Sequence, residues 1–219
     1  MKITINKLSF QKMFWIFLIA SIFGALYEEI LYIVKSFINL GIFDWEPRRG
    51  VFWGPISPVY GVGAVVMCLV LTNKNDTLSQ TFIKASILGG AVEYIISFLQ
   101  ETFLKTTSWD YSGYFLDING RTTIPFMLFW GVLGVCFVKF IYPFLSGMVD
   151  GMQATINGKF TTFLVVLLSF DMIISWTALI RQTLRHNNIS TIPIVDKFYD
   201  DHFDDDYIMK KFPNMVRSE

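Results

Sequence analysis

The feature that most constrains this chain is a series of five long apolar segments. They cover residues 13–37, 51–72, 82–103, 124–142 and 160–180. Each approaches or exceeds the ~20 residues that an α-helix needs to cross a bilayer core of about 30 Å. Because a backbone inside lipid must satisfy its own hydrogen bonds, helices are the expected form. We therefore predict an all-α fold, a polytopic transmembrane helix bundle of about five spans.

The composition supports the same class of protein. Hydrophobic residues make up 53% of the 219 residues, and the mean hydropathy is +0.47. Only 16% of the residues are charged, compared with roughly 25% in an ordinary soluble domain. The formal net charge is zero, so no basic excess favours nucleic acid as a partner. The lipid bilayer is the partner that the composition predicts.

The N-terminus and the orientation are interpreted from charge. Lys2, Lys7 and Lys12 precede the first apolar segment, as in a secretory signal peptide. That segment continues to Phe37, however, so we predict a retained first helix. Lysines at the N-terminus and near Lys74 favour an N-terminus on the inside, whereas the arginines of the other loops favour the opposite. The orientation stays open at this point.

We predict two regions, a transmembrane bundle over residues 1–183 and a polar acidic C-terminal tail over residues 184–219. In the tail, Asp200, His202, Asp204 and Asp206 alternate as at the start of a calcium-binding loop. The glycine and glutamate that such a loop needs at its sixth and twelfth positions are replaced by other residues. A solvated acidic tail is the prediction, and a cation site is the alternative.

The start of the second span is unusual. Residues 43–63 read FDWEPRRGVFWGPISPVYGVG, which is dense in glycine and proline. Pro55 and Pro58 remove backbone donors and bias the preceding residues toward extended conformations. Irregular backbone at membrane depth is tolerated only inside protein or along a cavity. We therefore predict that the second span is broken or re-entrant at its start.

Two segments carry narrow stripes of polar and small side chains at steps of three and four residues, which places each stripe on one helix face. A charge at mid-bilayer costs roughly 2.5–3.5 kcal/mol, so we expect Glu28 and Glu93 to face the bundle interior or water. Asp171 is a candidate third carboxylate. The alternative is that these groups only hold helices together. The stripes are Ser21, Ala25, Glu28, Tyr32, Lys35 and Asn39, and Ser86, Gly90, Glu93, Ser97 and Gln100.

Arginines lie just outside the membrane segments that carry these stripes. Arg48, Arg49 and Arg121 can each grip a carboxylate or phosphate with two parallel hydrogen bonds. We predict that they line a mouth for an anionic small molecule or lipid head group, with Asp110 pairing one of them when the mouth is empty. Tyr60 is expected to wall the cavity or mark the membrane interface.

Similar motifs in the two halves suggest an internal repeat. GALYEE over residues 24–29 corresponds to GGAVEY over residues 89–94, and FWG occurs at residues 52–54 and 129–131. A unit of two helices would repeat in parallel. The loops at residues 44–50 and 105–123, which we call the two special loops, would then lie on the same side of the membrane.

The segments RRGVFWGPISPVYGVG and WDYSGYFLDINGR, with the glutamate of the third span, resemble the bacterial CmpB-like family labelled "Putative ABC-transporter type IV". The resemblance implies a small multi-pass protein of a bacterial cell membrane. It also implies a separate ATPase or membrane partner chain, because no phosphate-binding loop is visible in this sequence. The residues that match are Glu28, Arg49, Gly50, Gly54, Pro55, Pro58, Tyr60, Gly61, Glu93, Trp109, Asp110, Tyr111, Ser112, Asn119 and Gly120.

Three functions remain open from the sequence. The first is a transporter-like or ligand-binding bundle, with the carboxylates as proton or cation sites. The second is a membrane enzyme acting on a lipid or polyprenyl head group, with a carboxylate as base and Arg49 as phosphate clamp. The third is a non-catalytic accessory subunit. We predict no cofactor, metal site or catalytic residue, because His186 and His202 lie outside the apolar segments.

Overall fold

The computed structural model describes residues 8–72 and 75–217, except for the side chains of Leu104, Val216 and Arg217. Lys2, Lys7 and Lys74, on which the predicted orientation partly rests, lie outside the described residues.

Helices dominate the described chain, which confirms the all-α prediction. The helices are α1 (Phe10–Leu40), α2 (Pro58–Leu71), α3 (Leu78–Leu99), α4 (Ile124–Cys136), α5 (Tyr142–Thr155), α6 (Gly158–His186), α7 (Pro193–His202) and α8 (Asp205–Lys211). A π-helical turn follows α3 at Gln100–Leu104, and another joins α4 to α5 at Phe137–Ile141. Two short antiparallel pairs complete the fold, β1 (Thr106–Thr107) with β4 (Val216–Arg217), and β2 (Asp117–Ile118) with β3 (Thr122–Thr123).

Four helical stretches are long and apolar enough to cross a membrane, and α2 is a shorter apolar helix. The four stretches are Phe10–Leu40, Leu78–Phe103, Ile124–Thr155 and Gly158–His186. The predicted fourth span ended at residue 142, but the helix continues to Thr155. Its polar last turns are held in place by Asp150, which pairs with Lys12 of α1 at 2.9 Å. The Lys12 side chain is 1% exposed, so this ion pair fastens α5 to the start of α1.

The second span begins irregularly, as predicted. Residues 50–55 form bends, and α2 starts only at Pro58, where the missing N–H of proline costs no helical hydrogen bond. The irregular segment is tied down by backbone hydrogen bonds, from Gly50 N to Ile56 O at 2.9 Å and from Ser57 N to Ser21 O at 3.0 Å. It therefore docks against α1 with its backbone groups partly satisfied.

The packing of α1 against α2 recurs between α3 and α4. The ring of Tyr60 packs directly against Gly24, and the ring of Trp130 packs in the same manner against Gly89. At both positions a β-carbon would overlap the aromatic ring, so glycine is what permits the close approach of the helices. The two halves of the chain thus contain the same type of helix packing, α1 with α2 in the first half and α3 with α4 in the second.

A second pair of glycines sets the register of this repeat. A β-carbon on Gly61 would overlap Ser21, and one on Gly131 would overlap Ser86. The structural repeat therefore aligns Tyr60–Gly61 with Trp130–Gly131. The FWG motif suggested Trp53–Gly54 instead, which is wrong, because Trp53 precedes the start of α2.

We call the end of the bundle where α1 and α3 end, and where α2 and α4 begin, the loop face. The C-terminal half of α6 reaches the same end, since Trp176 Nε1 donates to Gly50 O at 3.2 Å. The acidic segment is folded onto this face rather than solvated as expected. Phe52 is fully buried and stacks on Phe203 and Phe212 of that segment, at centroid distances of 4.9 and 5.3 Å.

Candidate functional site

Glu28 of α1 meets a phenol from the start of α2. The Tyr60 hydroxyl donates a short hydrogen bond to Glu28 Oε1. The late start of α2 and the small residue Gly24 together bring the ring of Tyr60 against α1. No lysine or arginine forms a salt bridge with Glu28 within the described part of the chain. Its charge is therefore met by a neutral donor only.

Glu93 of α3 is held in the same way by two hydroxyls. Tyr111 donates to Glu93 Oε1 at 3.0 Å, and Thr122 Oγ1 donates to Oε2 at 2.7 Å. Thr122 lies in β3, is 1% exposed, and is fixed by pairing with β2. Both carboxylate oxygens thus accept from neutral groups supplied by the loop between α3 and α4.

The two glutamates belong to one cluster. Burial raises the pKa of Tyr111 above its usual value, and the negative charges of Glu93 and Glu28 raise it further. Glu28 is therefore close enough to act electrostatically on a side chain that binds Glu93. Both carboxylates are half-buried, and neither has a cationic partner among the described residues.

The cluster does not have the composition of a metal centre. Among residues 8–72 and 75–217, no group of three or more histidine, cysteine, aspartate or glutamate side chains is placed to hold a metal ion. In the acidic segment, Asp200 is paired with Arg181 and Arg185, and Asp204 caps the N-terminus of α8.

Arg48 is occupied by neighbouring acidic and aromatic groups. Its guanidinium contacts Glu46 Oε1 at 3.0 Å and lies 4.8 Å from the ring centroid of Tyr32. Its backbone N–H donates to Glu29 Oε1 at 3.3 Å, and Trp45 Nε1 donates to Glu29 Oε2 at 3.2 Å. The buried Glu29, which is not a member of the polar stripe of α1, therefore holds the first loop through these two bonds.

Arg121, in the second half of the chain, resembles Arg48 in that its guanidinium already contacts acidic and aromatic groups. It forms an ion pair with Glu101 and donates to Ser97 Oγ at 3.3 Å. Its guanidinium lies 5.7 Å from the ring centroid of Tyr94, and its carbonyl accepts from Trp109 Nε1 at 3.0 Å. Trp109 thus helps to hold the loop through its bond to the Arg121 carbonyl. The guanidinium of Arg121 is already paired with the carboxylate of Glu101.

Asp110 makes a local turn instead of the predicted arginine pair. Its Oδ1 accepts from Ser112 N at 2.8 Å, and the hydrogen bonds from Ser112 hold the pKa of this exposed carboxyl below its usual value. Gly120, at φ +66°, leaves no room for a β-carbon beside Asp110 and Ser112. Because Arg121 binds Glu101, no arginine is left for Asp110 in this loop.

Arg49 differs from the other two arginines of the predicted mouth. Its Nε is buried and has no hydrogen-bond partner among the described residues. Burial raises the pKa of Tyr207 in α8, the charge of Asp171 raises it further, and the charge of Arg49 lowers it. Arg49 is therefore within electrostatic reach of Tyr207, and its side chain as a whole is half-buried.

The hydrogen bonds of Asp171 do not involve Glu28, Glu93 or the hydroxyls that bind them. Asp171 is 3% exposed and accepts from Phe52 N at 3.1 Å, Trp53 N at 3.2 Å and Ser175 Oγ at 2.9 Å. Ser175 Oγ also accepts from Phe52 N at 2.8 Å. These bonds anchor the irregular start of the second span, so the packing interpretation suits Asp171.

Some contacts of the candidate site were not predicted from the sequence. Thr122 closes the Glu93 site, and its only sequence signal was its place next to Thr123, which caps α4. Phe52 seats the C-terminal segment, and in the sequence it is one of 22 phenylalanines. Thr122 does not stand out by its type or spacing, and Phe52 stood out only as part of the FWG motif, which did not predict its contacts with the C-terminal segment.

The fold and the site define an integral membrane protein, a polytopic α-helical bundle with two half-buried carboxylates near its loop face. A family model described as "Putative ABC-transporter type IV" matches residues 15–176. The chain therefore belongs to this family, as the motifs of both special loops indicated. The match ends inside α6 and does not include α7 or α8. No curated protein and no solved structure gives a significant match.

Proposed function

We propose that this chain is the membrane-embedded, ligand-binding part of a transport system, and that Glu28 and Glu93 bind a proton or a small cationic group. The observation that supports this proposal is that, among the described residues, both carboxylates are hydrogen-bonded to neutral hydroxyls alone. Charges within a membrane bundle are costly unless they are compensated, and such groups commonly mark ion or proton pathways.

The hydroxyls suit this role. A hydroxyl oxygen donates one hydrogen bond and can accept others, so Tyr60, Tyr111 and Thr122 can turn from donating to accepting when a cation arrives. A proton would be accommodated by the same turn of a hydroxyl, since a protonated carboxyl becomes a donor itself.

An ATPase would be a separate chain. The family description points to an ABC-type system, and the sequence contains no phosphate-binding loop of the P-loop type. The cell membrane of a bacterium is the location that we propose for the assembly.

A second candidate is recognition of an anionic group at Arg49. It is supported by the buried Nε without a partner among the described residues. Arg48 and Arg121 contribute less to such a mouth, because each already pairs with a carboxylate. A lipid head group or an anionic small molecule would both offer the required oxygens.

The test for the cation site uses the purified protein in detergent. Melting is followed by tryptophan fluorescence in equal concentrations of NaCl, KCl, tetramethylammonium chloride and choline chloride, and at pH values from 5 to 9. We expect one cation, or a rise in proton concentration, to raise the melting temperature of the unmodified protein.

Glu28→Gln and Glu93→Gln should each remove that response while the protein still folds. Glu101→Gln is the matched control, because Glu101 pairs with Arg121 outside the cluster, and it should keep the response. A response that persists in both variants, or variants that fail to fold, would overturn the proposal in favour of a structural role.

A further inference from the structure

We propose that residues 187–217 form a lid that closes the loop face over Arg49 and is held shut by a clasp of ion pairs. The lid comprises α7, α8 and β4. The clasp comprises Arg181 and Arg185 of α6 with Asp196, Asp200 and Asp205 of the lid. This inference concerns access to the loop face and is independent of what Glu28 and Glu93 bind.

The lid has a preformed seat on the bundle. Phe52 is fully buried between the stacked rings of Phe203 and Phe212, and the ring of Tyr207 meets it edge-on at 5.2 Å. The backbone N–H of Phe52 donates to Asp171 of α6, which fixes the position of the seat. The seat is thus part of the membrane bundle, whereas the rings that cover it belong to the lid.

The clasp joins the last turns of α6 to the lid. Arg181 Nη2 lies 2.6 Å from Asp200 Oδ2, and Arg185 Nη1 lies 2.6 Å from Asp200 Oδ1. Arg181 also lies 3.4 Å from Asp196, and Arg185 pairs with Asp205. Partly exposed ion pairs of this kind are individually weak and are screened by salt. The clasp is therefore suited to reversible closure.

The lid contacts both special loops. Tyr207 lies near Arg49 of the first loop, whose Nε is buried. The two-residue strand β4 pairs with β1, which lies just after the π-helical turn that follows α3 and opens the second loop. Arg49 is half-buried in the closed structure, and it is the only arginine of the predicted mouth that lacks a carboxylate partner among the described residues. Opening of the lid should therefore expose it further.

Several features indicate that the lid can open as a unit. Its helices contain 10 and 7 residues, which is too short for stability without packing. Its hinge, residues 187–191, is exposed. The family match ends at residue 176, so the lid is attached to a unit that the family model describes without it. Local opening of such peripheral units is common.

The experiment measures how fast a thiol at position 49 is labelled. Cys68→Ala and Cys136→Ala remove the native thiols, and Arg49→Cys introduces the probe into the full chain. A charged, membrane-impermeant maleimide is applied to the detergent-purified protein. In a separate variant, Ser79→Cys reports on an exposed site at the opposite end of the bundle.

Asp200→Asn with Asp205→Asn should raise the labelling rate at position 49 by about fivefold, because two clasp carboxylates are neutralised. Asp201→Asn with Asp206→Asn is the matched control. It removes the same charge from adjacent positions that form no ion pair in the described structure, and it should leave the rate unchanged. The rate at Ser79→Cys should be equal in all backgrounds.

Salt gives a second measurement without altering the lid. Raising NaCl from low concentration to about 1 M should speed labelling in the intact-clasp background, and much less in the Asp200→Asn, Asp205→Asn background. The proposal of a lid would be contradicted by equal labelling rates in the two double variants, or by a labelling rate that salt leaves unchanged.

Discussion

Tyr111 donates a 3.0 Å hydrogen bond to Glu93, a residue 18 positions earlier in the chain. The loop after α3 folds back over its own helix, and the backbone bond from Tyr111 N to Gly120 O at 2.8 Å closes that fold. A side chain outside the apolar segments thereby becomes part of the carboxylate cluster.

Tyr111→Phe should lower the free energy of unfolding by about 1 kcal/mol, because it removes one hydroxyl donor from a half-buried carboxylate. The measurement is reversible denaturation in mixed micelles. Tyr114→Phe is the control, since Tyr114 lies in the same loop, is exposed, and donates no hydroxyl hydrogen bond in the described structure. Equal losses in both variants would contradict the assigned role of Tyr111.

Two glycines of α2 should respond in opposite ways to alanine. A β-carbon on Gly61 would overlap Ser21 and Phe17, whereas one on Gly63 meets nothing within 4 Å. Gly61→Ala should destabilise the protein by about 1–3 kcal/mol through overpacking. Gly63→Ala should be neutral or stabilise by up to about 1 kcal/mol, because alanine favours the helix. Melting temperatures of the two variants decide the matter, and a similar change in both would refute the packing of α1 on α2.

Ser175→Ala should loosen the seat of the lid. The hydroxyl of Ser175 accepts from Phe52 N at 2.8 Å and donates to Asp171 at 2.9 Å, so its loss leaves both groups with fewer partners. Hydrogen exchange of residues 50–55 should accelerate by about tenfold, which corresponds to about 1.4 kcal/mol. Ser169→Ala, at an exposed position of the same helix, should leave the exchange unchanged. Acceleration by both variants would show a general effect on α6.

The lid should stay closed across neutral and mildly acidic pH. Hydrogen bonds from Arg181 lower the pKa of Asp200, and Arg185 lowers the pKa of Asp205 although burial alone would raise it. Because these pKa values are lower in the folded protein than in the unfolded chain, the clasp contributes its full stability above the unfolded value of about 3.9. That contribution is lost as the pH falls through the folded-state values.

The measurement is hydrogen exchange of residues 193–211, normalised to the intrinsic rate at each pH. Protection should be constant from pH 8 to 5 and should fall only below about pH 4. His186 lies 2.9 Å from Asp205, and its protonation adds a cation without removing either arginine. Loss of protection between pH 7 and 5 would therefore count against the aspartate clasp.

The helices show most clearly how much of the structure could be predicted from the sequence. Hydropathy and the three- and four-residue spacing are local properties, and they correctly predicted the class of protein, the apolar helices and the late start of α2. Burial agrees with the first members of both stripes, since Ser21, Ala25, Ser86 and Gly90 are buried, whereas Lys35 and Asn39 at the end of the α1 stripe are exposed. The family follows from motifs that are likewise contiguous in the chain.

The partners of each charge were decided by the tertiary structure. Whether an arginine meets Glu46, Glu101 or Asp200 depends on how loops and the C-terminal segment fold over the helix ends, and residues far apart in sequence supply those contacts. The acidic segment shows the same limit. Its composition predicted solvation, but the buried ring of Phe52 and the ends of α6 offered apolar area and guanidinium groups that together outweigh the cost of ordering it.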